Sequence, residues 1–319
     1  MFEVSANVSQ TIILGSRGSD LARAQTAMVA KALQQAWPEL EIKLEILQTL
    51  GDERSTNGGE PLDPRAGRKG LFTGEIERVL AAGGIDVAVH SAKDLPSDTA
   101  PGLELRSVLP RALADDLLIA RVPGGLAVLR PTAVVATGSV RRQHQLRWKR
   151  PAIQLVNLRG NVPTRLRKLT TNEWDAIVLA RAGVERLGYD LSAGSFSFEG
   201  LPLFAEVLPQ DEFLPAGGQG VIALQLRRDD EKIKALVDRI NHEETFHCLR
   251  AEREFLRLLQ GDCDSPVGVR ATITGQTMKL RAQVFEAGNS DPRVGEVAGS
   301  FAHGVEALAA ELLEQINGG

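Results

Sequence analysis

Residues able to do acid, base or electrostatic chemistry crowd the end of one short apolar run. In GGIDVAVHSAKDLPSD, residues 83–98, Ile85, Val87 and Val89 alternate through a run that can be buried on both faces. His90, Ser91, Lys93 and Asp94 follow at once, and Pro96 forbids further pairing. Ligands of open α/β sheets sit beyond the carboxyl ends of strands, which makes Asp94 the candidate reactive carboxylate. An isolated Asp ahead of a proline is more often a turn cap, so the assignment needs support from elsewhere. A second concentration is cationic: Arg141, Arg142, Arg147, Lys149, Arg150, Arg159, Arg165 and Arg167 lie between Arg130 and Lys168 with hardly an acid among them. In a chain of net charge -4 and pI ≈ 5.8, this segment fits a pocket for a small polyanion rather than a surface for a long one. Trp148 alone does not supply the interleaved aromatics of a single-strand binder, so no nucleic-acid partner is expected.

The two cysteines differ in setting. Cys263 stands in GDCDSPVG, a Gly, Asp and Pro turn where deep packing is unfavourable, which leaves its thiol available for covalent chemistry. Cys248 lies on a helix face beside Leu249 and reads as a small buried hydrophobe.

The elements that must position these groups follow from pattern. TIILG is a strand; SRGSD turns into a helix with Leu21, Ala24, Met28 and Ala32 on one face, and Ser19 or Asp20 is its N-cap. Such a turn exposes N–H groups to an anion, with Arg17 and Ser19 aimed into the same space; an ordinary capped turn has the same sequence. After a second strand, EIKLEILQT, a long polar stretch ends at Lys69, which could swing over a ligand or stay solvated. A helix marked by Phe72, Ile76, Val79 and Leu80 leads into the Asp94 strand. LELRSVLP and DDLLIA read as strands, with residues 111–115 crossing into a second domain.

There the grammar repeats: a strand, a turn with Thr137 and Ser139, then a helix whose first turn holds Arg141 and Arg142. Cations at a helix N-terminus oppose the macrodipole, so an anion should offset them. Arg159 ends the next strand and Arg165 sits in the helix after it, and WDAIVLARAGVERLG is a further unit. Residues 190–206 read as a surface loop with a few anchoring aromatics. Gly217, Gly218 and Gly220 around Gln219 imply close backbone approach at the entrance of a buried strand, 221–226. Helical periodicity runs over 231–259, and three antiparallel strands and a helix over 304–316 complete a small α+β domain.

At 319 residues the chain suggests two or three domains of about 150 each. Hydrophobic residues at 43% and charged residues at 24% are ordinary for a globular protein. No apolar run approaches the roughly 20 residues of a membrane span, and MFEVSANVSQ lacks the marks of a secretory signal, so a cytoplasmic protein with no membrane partner is expected. No Walker loop or GxGxxG opens a helix, which excludes the usual ATP and NAD motifs. His242 and His247, five apart, fall on different helix faces, so no metal site is expected.

Taken together, GSRGSDLARAQ, KGLFTGEIE, IDVAVHSAKDLP, TGSVRRQHQL, LRGNVPTRL, AIVLARAG, PAGGQG and GDCDSPVG resemble, in order and spacing, the signature segments of the hydroxymethylbilane synthase (porphobilinogen deaminase) family over roughly residues 11–275. The resemblance implies two doubly wound α/β lobes like those of type II periplasmic binding proteins, 1–112 with 218–238 and 113–217, plus a C-terminal α+β domain, 239–319. It implies a transferase, expected as a monomer, that condenses four porphobilinogens into hydroxymethylbilane with release of ammonia, in tetrapyrrole biosynthesis. A dipyrromethane cofactor attached through Cys263 would prime the growing polypyrrole. Asp94 would then be catalytic. Ser91, Lys93, Thr137, Ser139, Arg141 and Arg142 would hold the cofactor, and Arg17, Ser19, Lys69, Arg159, Arg165 and Gln219 the substrate. Guanidinium forks suit the carboxylates of pyrrole acids, and an ionised carboxylate suits the cationic pyrrole formed on deamination.

The sequence also departs from the family pattern. GDC stands for GGC, Gly217 for Val, and Gly74 for Lys, and residues 190–206 lack an arginine that the family supplies there; the expectation is either a weaker grip on one carboxylate or compensation by Arg181 or Arg186. A non-catalytic two-lobed anion-binding module is the competing reading, but such a module gains nothing from Asp94 among arginines or from a turn thiol. An RNA-binding protein is disfavoured by the acidic pI.

Overall fold

The computed structural model describes residues 11–47, 73–260, 265–286, 291–302 and 304–318; Lys69 and Cys263 lie outside the described residues. The first sheet takes β1 (Thr11–Arg17), β2 (Glu41–Leu47), β3 (Val87–Ser91), β4 (Leu103–Val108) and, from far along the chain, β11 (Ile222–Arg227), in the order β2-β1-β3-β11-β4. β1, β2 and β3 run parallel, and β11 is antiparallel to both its neighbours. Ile12, Leu14, Val87 and Val89 meet Val29 and Leu33 of α1 (Asp20–Ala36) in one core, which fixes the helix over the sheet. Gly15 is required inside β1, because a Cβ there would lie 2.2 Å from Ile85 Cδ1. α2 (Gly74–Ala81) buries Ile76 and Leu80 against the other face.

The second sheet has the order β7-β6-β8-β5-β10-β9, from β5 (Asp116–Ala120), β6 (Val134–Ala136), β7 (Gln154–Val156), β8 (Ala176–Ala180), β9 (Ser195–Phe198) and β10 (Leu201–Leu208). Its helices are α3 (Gly125–Val128), α4 (Val140–Lys149), α5 (Val162–Thr171) and α6 (Arg181–Arg186). The expected surface loop at 190–206 is instead largely a β-hairpin. Glu199 and Gly200, at φ 49 and 83, form a two-residue turn of the primed kind, and Phe196, Phe198 and Leu203 pack into the lobe.

Two crossovers, before β5 and after β10, join the lobes and lie against each other. Ala112 N donates to Gly220 O at 3.1 Å, and a Cβ on Gly220 would stand 2.4 Å from Ala112 O. The helical region 231–259 divides into α7 (Glu231–Asp238) and α8 (Glu243–Leu258), because His242 accepts from Thr245 N and starts a new helix. α8 packs on β12 (Val267–Thr274) and β13 (Thr277–Val284) of the three-stranded antiparallel sheet, whose third strand is β14 (Arg293–Ser300), with α9 (Glu306–Gly318) beside it. Glu252 of α8, fully buried, accepts from Arg111 Nη1 (2.5 Å), Gly218 N (2.7 Å) and Ala271 N (2.8 Å). One carboxylate thus bolts both crossovers to the third domain. Lobe 2 reaches the same domain through Gln145 to Gln283 (2.6 Å) and Trp148 to Asp291 (3.0 Å).

Candidate active site

β3 runs out into a 3-10 turn, Ala92–Asp94, because Pro96 follows and Ala92 N is already bonded to Val221 O. Ala92 is buried and anchors the turn, while Asp94 is thrown outward and exposed. Gly218 passes so close that a Cβ would lie 3.0 Å from Lys93 N, so the glycine run lets the second crossover support this turn. Asp94 makes no salt bridge among the described residues.

Two cavities flank the turn. One is formed within lobe 1 by Arg17, Ser19, Gln25, His90, Ser91 and Asp94. The other, slightly larger, lies where both lobes and the third domain meet and is lined by Lys93, Ser97, Ser139, Arg141, Gly217, Arg253 and Ser265. Ser91, expected with the cofactor set, opens on the Arg17 side, where its hydroxyl pairs with the Gln25 amide at 2.9 Å. Ser19 also caps α1 through Ala22 N at 3.3 Å.

The anion that offsets Arg141 and Arg142 is Asp116, at the start of β5 and fully buried. Its Oδ2 takes Arg141 Nη1 at 2.8 Å, and its Oδ1 takes Arg142 Nη2 at 2.7 Å and Gln219 Nε2 at 2.8 Å. Burial alone would raise this carboxyl, but the two guanidiniums outweigh it and hold it well below the usual range. Two arginines against one acid leave a net positive charge at the α4 N-terminus. The buried Nε atoms of both have no partner among the described residues.

Gln219, expected to touch substrate, is 1% exposed and spends its amide on Asp116 and Ala114 O, with Lys93 Nζ 3.5 Å from its Oε1. It therefore reaches the site through Lys93 and Asp116. Lys93 is pushed down to about 8 by withdrawal from water, with Asp94 pulling the other way and Arg142 and Arg165 pushing down. Thr137 is buried and accepts from Ser139 N at 3.3 Å, shaping the turn before α4. Gly138 lets that turn press on Leu158 O, where a Cβ would come to 2.5 Å, and so brings Ser139 beside the segment carrying Arg159. Arg159 is exposed, and Arg165 donates to Gly160 O at 2.7 Å. Arg181 pairs with Glu185 at 2.7 Å, and Arg186 Nη2 donates to Gly220 O at 2.7 Å, so the candidate compensators serve α6 and the crossover. Cys248 is buried as expected, its thiol pushed up to about 11 chiefly by burial.

Asp116, Gln25 and Arg253 escaped the sequence reasoning. Arg253 Nη2 holds Ser97 O at 2.9 Å, fastening the chain beyond the Asp94 turn to α8. Only Asp116 had a signal, the anion that the α4 arginines demand.

Comparison with known proteins bears on this geometry. Residues 12–235 match the family model described as porphobilinogen deaminase, dipyromethane cofactor binding domain, and 246–317 match porphobilinogen deaminase, C-terminal domain. The chain is 43% identical over 316 residues to the porphobilinogen deaminase of Roseiflexus sp. (strain RS-1), covering 97% of each chain. It is 39% identical over 308 residues to that of Syntrophomonas wolfei, covering 95% of each. Among solved structures, the methionine binding protein MetQ aligns with 74% of this chain and 92% of its own at 14% identity and a TM-score of 0.44.

Proposed function

The chain belongs to the porphobilinogen deaminase family, and on that premise we propose that the two cavities beside Asp94 divide the labour of pyrrole condensation. The protein is a tetrapyrrole-biosynthetic enzyme using a dipyrromethane cofactor and porphobilinogen. The observation that carries the division of roles is one turn whose exposed Asp94 lines the Arg17 cavity while its neighbour Lys93 lines the Arg141 cavity.

The larger cavity suits the cofactor. Ser265, two residues past Cys263, lines it, and Lys93, Ser139 and Arg141 offer donors to pyrrole carboxylates there, with Arg141 Nε, which has no partner among the described residues, adding demand for an acceptor. The cofactor, held by a Cys263 thioether, supplies a nucleophilic pyrrole carbon. Arg17 and Ser19 hold the carboxylates of porphobilinogen in the smaller cavity, and Arg159 and Arg165 extend the grip as the product lengthens. Loss of ammonia leaves positive charge on the incoming ring, and Asp94 stabilises it where it develops. With Arg181 on Glu185 and Arg186 on Gly220 O, the contact missing from the 190–206 segment leaves a weaker grip on one carboxylate; a loss of analogue affinity in either alanine variant overturns that point. Domain boundaries at 112/113, 217/218 and 238/239 and a monomeric state belong to the same reading.

Intact mass tests it. The purified protein should exceed its sequence mass by two pyrrole units, and Cys263→Ala should remove the excess. A protein with neither adduct nor turnover after reconstitution overturns the assignment.

A further inference from the structure

His90, next to last in β3, lines the Asp94 cavity and is 6% exposed. Its Nε2 lies 3.0 Å from Gln225 Oε1, and Gln225 Nε2 donates to Glu77 Oε1 at 2.7 Å. A carboxylate only accepts, so Glu77 fixes which end of the Gln225 amide faces it. The amide oxygen must then face His90, and that oxygen requires the imidazole proton to sit on Nε2. Nδ1 is left with its lone pair and has no partner among the described residues. The chain of bonds therefore runs one way, from a half-buried acid on α2 to an unprotonated ring nitrogen on a residue of the cavity wall.

The cavity needs such an atom. Arg17 is a donor only, and the Gln25 and Ser91 side chains are engaged with each other. A pyrrole acid brings carboxylates, which Arg17 and Ser19 answer, and N–H groups, for which Asp94 is one acceptor. Resting on the porphobilinogen reading above, we infer that the Glu77–Gln225–His90 chain presents a neutral imidazole Nδ1 as a second acceptor for an N–H of the incoming porphobilinogen. Burial, with Arg17 and Arg253 adding to it, holds the imidazole down at about 4, so it stays neutral beside a ring that becomes cationic.

The test uses the full, cofactor-loaded chain labelled with ¹⁵N-histidine. Two-bond ¹H–¹⁵N spectra, with the His90 signals identified by their loss in His90→Gln, should show the Nε2–H tautomer. The Nδ1 signal should move on adding porphobilinogen to the Asp94→Asn variant. His90→Gln keeps a donor toward Gln225 but loses the acceptor, and kcat/KM should fall on the order of five-fold. If that variant does not fold, Glu77→Gln, which leaves His90 in place and frees the direction of the chain, should admit the second tautomer and part of the kinetic loss. An Nδ1–H tautomer, an Nδ1 signal indifferent to porphobilinogen, or unchanged kcat/KM overturns the inference. A wild-type protein lacking the pyrrole adduct and turnover overturns the activity itself, whereas an active, adduct-bearing protein with a silent Nδ1 overturns only the role of His90.

Discussion

The two lobes share one strand plan and use it for opposite charges. In each, three parallel strands, β2-β1-β3 and β7-β6-β8, meet an antiparallel strand, β11 or β5, and then one more, β4 or β10. The turn after β3 exposes Asp94, whereas the corresponding end of β8 carries Arg181, and the first turn of α4, after β6, buries Arg141 and Arg142. The acid can stand alone because water solvates it until a ligand arrives. The arginines, taken out of water, cannot, and lobe 2 supplies Asp116 as their counter-ion. The exposed acid is left accessible; the buried arginine pair is held by a counter-ion from its own lobe.

Breaking the gripping side should do the most damage to the fold. Asp116→Asn leaves two buried guanidiniums facing a neutral amide and should cost about 3–5 kcal/mol, read from urea unfolding. A loss below about 1 kcal/mol would mean that the arginines find another counter-charge. Asp94→Asn is the complementary case: unfolding unchanged and adduct retained, but turnover down by about 10²–10³. If the two variants exchanged these signatures, the division between the lobes would be wrong.

Titration separates the sides further. The unfolded chain protonates His90 near 6.5 and the folded one only near about 4, so its stabilising contribution is complete above 6.5 and is lost as pH falls toward 4. That slope amounts to about 3 kcal/mol and should flatten in His90→Gln. Lys93, beside Asp94 in the same turn but facing the other cavity, titrates at about 8, so its positive charge disappears as pH rises through that value. Cofactor uptake by the apoprotein should weaken by up to about ten-fold per pH unit above 8, and Lys93→Met should remove the bend. The smallest effect belongs to Arg181→Ala: its pairs are half-exposed, and stability should change by no more than about 1 kcal/mol.

What could be read from sequence was what is local. The Asp94 turn is announced by an apolar run and Pro96 within a dozen residues, and the three-stranded sheet by its own alternation. The hairpin of β9 and β10 was hidden because serines occupy the outward positions of SFSF and Pro202 reads as a break, although the period of two was present. Asp116 was hidden for another reason. Its partners are 25 and 26 residues away, and DDLLIA shows only a strand entry. The demand for an anion at the α4 arginines was legible; which residue met it depended on the antiparallel pairing of β5 with β8. Nothing in VAVHS tells which ring nitrogen of His90 faces Gln225, 135 residues on.

β11 sits in the middle of the lobe 1 sheet, yet its residues follow the whole of lobe 2 in the chain. On the ribosome, therefore, the lobe that starts second closes first. Lobe 2 has all its strands once Leu208 has emerged, whereas β3 and β4 wait unjoined until Arg227 does, on the order of seconds later at typical synthesis rates. The nascent chain thus assembles the arginine-bearing half before the half that holds Asp94 can close.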